Sequence, residues 1–301
     1  MIQTPTVLVL GAGASVPYGF PSGKKLKKRI LDSGPKVHED VGERDEGRFL
    51  EFQRTLRHSA QPSVDAFLEH RSELMDLGKA LIAHQLIAHE NTNALFKTED
   101  WYQYLWQRMG TSFDEFDRNQ LSIITFNYDR SLEHFLFTAL VNSYRVSGED
   151  AAEKLKHIPI IHVYGQLGLL EWQGNDDEGA NVRPYGHDRT IQAIRIAARG
   201  IQILTEGKDE SDKFQQARDL VHRAKLVYFL GFGYNTTNMK RLQLPVHGSP
   251  NYDAARYMAG SCYSLTEAER KIIEVNEGLR LGHISHTAHE FLRNEETFLR
   301  S

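Results

Sequence analysis

The chain has 301 residues, with 36 basic side chains against 40 acidic ones and a net charge of −4. That length can bury a large core, the near balance of charge gives no general attraction to nucleic acid, and no apolar run approaches the ~20 residues of a membrane span. The single cysteine, Cys262, excludes an intramolecular disulfide and any zinc site built on several thiolates.

The first predicted element is a strand. Val7–Leu10 is a four-residue apolar run, as expected of a buried parallel strand. It begins at once, so no signal peptide is expected ahead of it. It runs straight into Gly11-Ala12-Gly13-Ala14-Ser15. Gly11 and Gly13 lack a Cβ, so their backbone N–H groups are expected to approach an anion closely. A strand feeding a glycine turn is how many α/β folds hold a dinucleotide pyrophosphate. The spacing fits neither standard phosphate motif. Val16 falls where Gly-x-Gly-x-x-Gly needs its third glycine, and Tyr18 and Lys25 break a Gly-x-x-x-x-Gly-Lys-Ser/Thr loop around Gly23-Lys24.

After Pro21 the pattern turns helical. Ser22 can cap a helix carrying Leu26, Ile30 and Leu31, and Lys24, Lys25, Lys27, Lys28 and Arg29 read as its solvated surface. Ser33 to Arg48 reads as a polar loop. Phe49 to Gly110 is helical, with Asp65, Phe67, Leu68, Leu74, Leu77, Leu81, Leu86 and Ile87 at helical spacing, then Trp101, Tyr104, Leu105 and Met109. Residues 22–120 therefore form a helical insertion after the first strand. Asp114, Glu115 and Asp117 read as a solvated turn.

Strands are then predicted at Leu121–Phe126, Ile158–Val163 and Leu226–Leu230, with weaker signals at Ile201–Leu204 and at Cys262–Leu265. Helices are predicted over Ser131–Tyr144, Thr190–Arg199, Lys213–Ala224 and Thr266–Asn276, with a last one over Ser285–Leu299. Strand–helix alternation implies a parallel sheet. The expected fold is α/β, one Rossmann-like domain over 1–301 with helices on both faces of a parallel sheet. His283, His286 and His289 recur every third residue at a polar helix start and are read as that, not as a metal site. No Gly-x-Ser-x-Gly elbow is present.

Chemistry-bearing residues gather after the strands. Thr125-Phe126-Asn127-Tyr128-Asp129 ends the second strand, where polar groups emerge at the carboxyl edge of an open sheet. By itself this is also an Asx-turn before a helix. Ile160-Ile161-His162-Val163-Tyr164-Gly165 ends the third strand, and alternation places His162 and Tyr164 on one face. Histidine is suited to deprotonating a hydroxyl near neutral pH, whereas tyrosine, with a pKa near 10, is a hydrogen-bond donor. Leu226 to Leu230 runs into a second glycine turn, Gly231-Phe232-Gly233-Tyr234-Asn235.

In this order the segments resemble those of the sirtuin-like family. Sirtuins carry Gly-Ala-Gly-x-Ser-x-x-x-Gly-x-Pro, matched from Gly11 to Pro21, then Thr-Gln-Asn-x-Asp, matched with Phe126 in place of Gln. Their His-Gly is Tyr164-Gly165 here, and their Gly-Thr-Ser corresponds in position to Gly231-Phe232-Gly233. The resemblance spans Val7 to Asn235 in four pieces and leaves the insertion and the last sixty or so residues unexplained.

It implies that NAD is bound by Gly11, Ala12, Gly13, Ser15, Pro21, Asp129, Tyr164, Gly165, Gly231, Gly233 and Asn235, with Asn238 as another candidate for a ribose or phosphate oxygen. Asn127 would position the nicotinamide ribose and an attacking water, and Asp129 would accept from the carboxamide. The base position falls to His162 or Tyr164, with His162 the expected base and Tyr164 shaping the pocket. Gly13, Asn127 and His162 are thus expected around one cavity.

Zinc-binding sirtuins place four cysteines just after the His-Gly strand. The equivalent stretch here, Gln166 to Arg189, has Trp172, Asp176, Asp177 and Glu178 but no cysteine, so no zinc is expected. Water becomes the expected acceptor, and NAD would be hydrolysed to nicotinamide and ADP-ribose. The alternatives are an NAD-dependent deacylase or ADP-ribosyltransferase, and a non-catalytic subunit that binds NAD or ADP-ribose. Cysteine-free bacterial members imply a cytoplasmic anti-phage effector that depletes NAD. They further imply a homo-oligomer and a separate activating or sensing protein, a ring ATPase or an Argonaute-like protein, with no membrane and no direct nucleic-acid contact.

Overall fold

A computed structural model describes residues 1–97, 100–174, 181–204, 212–244, 253 and 255–300. Asp176, Asp177 and Glu178 lie outside the described residues. The strands are β1 (Thr6–Leu10), β2 (Leu121–Thr125), β3 (Ile160–His162), β4 (Leu226–Leu230), β5 (Tyr257–Gly260) and β6 (Arg280–Leu281). All pair in parallel, in the order β3-β2-β1-β4-β5-β6. This is a Rossmann-like α/β sheet whose strand order reverses between β1 and β4, the place where open sheets leave a crevice at their carboxyl edge.

Hydrophobic run and alternation explain both faces. All of β1 is buried. Leu8, Leu10, Ile123, Tyr228 and Leu230 point into one core, while Val7, Val9, Ile124, Val227 and Phe229 point into another. Burying each such side chain contributes about 1.5–3 kcal/mol before chain entropy is counted.

The helices are α1 (Gly23–Leu31), α2 (Val37–Asp40), α3 (Glu46–His58), α4 (Val64–Glu69), α5 (Met75–Ile87), α6 (Thr92–Leu95), α7 (Trp101–Met109), α8 (Ser131–Tyr144), α9 (Gly148–Leu155), α10 (Ile191–Gly200), α11 (Asp212–Arg223), α12 (Thr236–Leu242), α13 (Glu267–Glu277), α14 (Ala288–Asn294) and α15 (Glu296–Leu299). Phe214, Ala217 and Val221 of α11 and Met239 and Leu242 of α12 cover the Val7 face. The insertion covers the other. Phe49, Phe52, Leu56, Leu81 and Leu86 share the Leu8 core. Leu77, Leu81, Ile82, Ala83, Leu86 and Ile87 of α5 are all buried, the all-round apolar pattern of a central helix. The end of the insertion also braces the first glycine turn. The Trp101 indole donates to the Ala14 carbonyl at 2.7 Å, and the Tyr102 amide donates to the Tyr18 hydroxyl at 2.8 Å.

Several predicted elements differ. Ile201–Leu204 is not a strand; Ile201 makes only an isolated bridge to Gly165. The fifth strand is Tyr257–Gly260, with Cys262 just beyond it, its thiol donating to the Gly282 carbonyl at 3.0 Å. The stretch from Ser33 to Arg48 contains α2 and the start of α3. The C-terminal helix is broken at Glu295, which is extended between α14 and α15. No helix among the described residues is long and apolar enough to cross a membrane.

Candidate active site

The cleft at the β1/β4 reversal holds about 970 Å³ of empty space, part of it open to solvent. Four chain segments reach it from the carboxyl ends of adjacent strands: Ala12 and Ser15 after β1, Phe126 to Asp129 after β2, Tyr164 after β3, and Asn235, Thr237 and Asn238 after β4. The far wall is closed by Phe20 and Pro21 of the turn after β1 and by Ser63, Asp65, Glu69 and Leu86 of the insertion, among others.

Ser15, Asn127 and Asp129 form one buried network. The Asn127 amide donates to the Gly11 carbonyl at 2.9 Å and to Ser15 Oγ at 3.1 Å, and Ser15 Oγ donates to Asp129 Oδ2 at 2.8 Å. Asp129 Oδ1 accepts from the Ser131 amide at 3.2 Å and from the Ser131 hydroxyl, so the Asx-turn is present as well. Burial pushes the Asp129 carboxyl above its ordinary range, against the pull of the Ser131 and Ser15 hydrogen bonds.

Of the predicted glycines, Gly11, Gly13, Gly165 and Gly231 are required by close backbone packing. Gly11, Gly13, Gly165, Gly231 and Gly233 do not line the cleft. Gly11 and Gly13 press on the second glycine turn, where a Cβ would meet the Gly231 carbonyl oxygen at 2.6 Å and 2.8 Å. Their amides are spent there too, donating to Leu230 O at 3.0 Å and Gly231 O at 2.9 Å. The expected anion-facing N–H groups of Gly11 and Gly13 are therefore turned into a seam between β1 and β4. Gly165 lets the chain after β3 pass under α10, where a Cβ would stand 1.9 Å from the Gly200 carbonyl oxygen.

His162 is likewise placed elsewhere. It is buried behind the cleft, with Nδ1 on the Asn127 carbonyl at 2.8 Å and Nε2 on the Glu133 carboxylate. A carbonyl only accepts, so Nδ1 carries a proton, and neither nitrogen is left for a substrate hydroxyl. Gly13, Asn127 and His162 thus do not share a cavity; of the three only Asn127 lines it. The alternation that paired His162 with Tyr164 fails because β3 stops at His162 and a turn follows, closed by the Gly165 amide on the His162 carbonyl at 3.0 Å. Tyr164 lines the cleft alone. Its hydroxyl donates to Asn238 Oδ1 at 2.7 Å and accepts from Arg241, which also pairs with Glu69 at 3.3 Å. Burial pushes the Tyr164 phenol up to about 12, which removes it as a base near neutrality. Asn235 lines the cleft, but its side-chain oxygen caps α12 on the Thr237 amide at 2.9 Å.

Sequence reading missed the acids on the insertion wall. Asp65 accepts from the Tyr128 hydroxyl, and burial raises its carboxyl despite that bond. The signal was an acid standing among the apolar positions of a helical pattern. With Asp65, Glu69 and Asp129, the cleft carries three carboxylates and no lysine, arginine or histidine among its described lining residues.

The described parts of the stretch Gln166 to Arg189, residues 166–174 and 181–189, are anchored by an ion cluster. Glu90 and Arg130 are fully buried; Arg130 grips both Glu90 oxygens and the carbonyls of Leu169, Arg183 and Pro184, and Arg183 returns to Glu90. Among the described residues no group of three or more His, Cys, Asp or Glu gathers as metal ligands would. No protein-family profile matches the chain, and no curated protein matches it either.

Proposed function

We infer that this cleft binds NAD+ and cleaves its nicotinamide–ribose bond with water, releasing nicotinamide and ADP-ribose. The observation that carries it is the convergence of Ser15, Asn127 and Asp129 in one network at the strand-order reversal, facing an open cleft. The charge of the cleft supports the same reading. Three carboxylates suit a cationic pyridinium and an oxocarbenium-like transition state. Nicotinamide is already a good leaving group, so the site has mainly to position a ribose and a water. Asn127, fixed through its backbone by His162 and through its amide by Gly11 and Ser15, is the positioning group. His162 is a positioning residue here, not the base.

The resemblance to sirtuin-like effectors adds the expectation that NAD depletion is the purpose, in an assembly with a separate sensing protein. One observation favours a second reading. The occlusion of His162 suits a subunit that binds NAD or ADP-ribose without turning it over. Mass spectrometry of products from NAD+ separates the readings. Hydrolysis predicts nicotinamide and ADP-ribose from the wild type, reduced about 100-fold or more in Asn127→Ala. Label transferred to a protein acceptor would instead indicate a transferase, and intact NAD+ would leave only the binding subunit.

A further inference from the structure

Asp65 is the one carboxylate of the cleft delivered by the insertion with neither a cation nor a cap role. It stands in the first turn of α4, where Ser63 serves as the cap by accepting from the Ala66 amide at 3.1 Å. Its Oδ1 accepts from Tyr128, the residue between Asn127 and Asp129, and the carboxylate is also bonded by its own backbone amide. Glu69 one turn on is tied to Arg241, and Asp129 is saturated by Ser15 and Ser131. With His162 occluded, the hydrolysis inferred above lacks a proton acceptor.

We propose that Asp65 is that acceptor, a carboxylate lent by the helical insertion, held by the Tyr128 hydroxyl and lining the same cleft as Asn127. The proposal rests on the hydrolase reading. The water oxygen bonds to the ribose anomeric carbon as the carbon–nitrogen bond breaks. The bond's electron pair stays on the pyridinium nitrogen, leaving neutral nicotinamide, and the water proton passes to Asp65 and then to solvent. The groups facing Asp65 are Tyr128 after β2, Tyr164 after β3, Glu69 on α4 and, beyond Glu69, Arg241 on α12. Burial places its titration above the usual carboxylate range, so activity falls as pH drops through that raised value. The Tyr128 bond favours the charged form, so its loss moves the acid limb to higher pH.

The test is nicotinamide release from NAD+ by the full chain, as a function of pH, with Asp65→Asn, Asp65→Glu and Tyr128→Phe. Asp65→Asn is expected to lower kcat about 100-fold or more while KM changes less than about threefold. Asp65→Glu should recover part of the loss, and Tyr128→Phe should shift the acid limb upward. If Asp65→Asn misfolds by circular dichroism, the limb shift of Tyr128→Phe and the partial activity of Asp65→Glu decide. Wild-type turnover with an unchanged kcat and acid limb in Asp65→Asn overturns Asp65 alone. A wild type that releases no nicotinamide overturns the hydrolase reading and Asp65 with it.

Discussion

Two acidic regions lie near the carboxyl edge of this sheet, and they are built in opposite ways. Around Glu90 the carboxylate is fully enclosed and both oxygens are gripped by Arg130, with Arg183 and the Gly186 amide adding to one of them. Around Asp65 and Asp129 the carboxylates open on a cleft and meet only hydroxyls and amides. A buried ion cluster organises chain: it ties the end of the insertion to the segment after β3. Acids that open on a cleft without a cation partner mark it as a candidate ligand site. The contrast separates scaffold from site without appeal to any relative.

Breaking each side of that contrast should give opposite signatures. Glu90→Ala leaves Arg130 and Arg183 buried without their carboxylate, and the expected loss is about 3–5 kcal/mol in denaturant unfolding. A loss under 1 kcal/mol would show that the cluster is not the clamp described. Asn127→Ala should do the reverse, costing about 1–3 kcal/mol of stability through the unpaired Ser15 and Gly11 groups while abolishing nearly all turnover of NAD+. Retention of more than a tenth of wild-type turnover would count against its role in positioning the ribose.

Tyr164→Phe sharpens the division within the cleft. It keeps the ring against Phe126 and Phe214 and removes the bonds to Asn238 and Arg241. A change in kcat of less than about threefold is expected, whereas a residue acting as base would cost 100-fold or more. The smallest effect concerns Asp129. Its folded pKa is raised, so folding favours its protonated form. That contribution is fully present below the unfolded value of about 3.9 and is lost as pH rises through the folded value. Asp129→Asn cannot ionise, so thermal unfolding from pH 4 to 7 should show a smaller decline for the variant than for the wild type. An identical slope would mean that Asp129 is not the titrating group.

Much of the fold was legible because its signals are local. The apolar runs of β1, β2 and β4 and the helix over Ser131–Tyr144 needed no partner to be read. Two strands and one helix lacked a strong local signal. β5 is Tyr-Met-Ala-Gly and β6 only Arg-Leu, strands by virtue of the neighbour they pair with. α12 opens on Thr236, Thr237 and Asn238, poor helix formers placed by the cap of Asn235.

The meeting of Ser15, Asn127 and Asp129 at the cleft was foreshadowed by polar residues standing just past apolar strands. The seam that Gly11, Gly13 and Gly231 form has no local signal, because it depends on two distant turns meeting. His162 was misread because the strand ends before the alternation reaches Tyr164. Asp65 was hidden by distance along the chain, its meaning appearing only when α4 meets Tyr128.

The most direct measurement is a crystal structure of the wild type with nicotinamide and ADP-ribose. Convergence at the β1/β4 reversal predicts the ribose inside the cleft, within hydrogen-bond distance of Asn127. Ligand found instead in the groove of Arg44, Arg48 and Arg195, with the cleft holding only solvent, would contradict it.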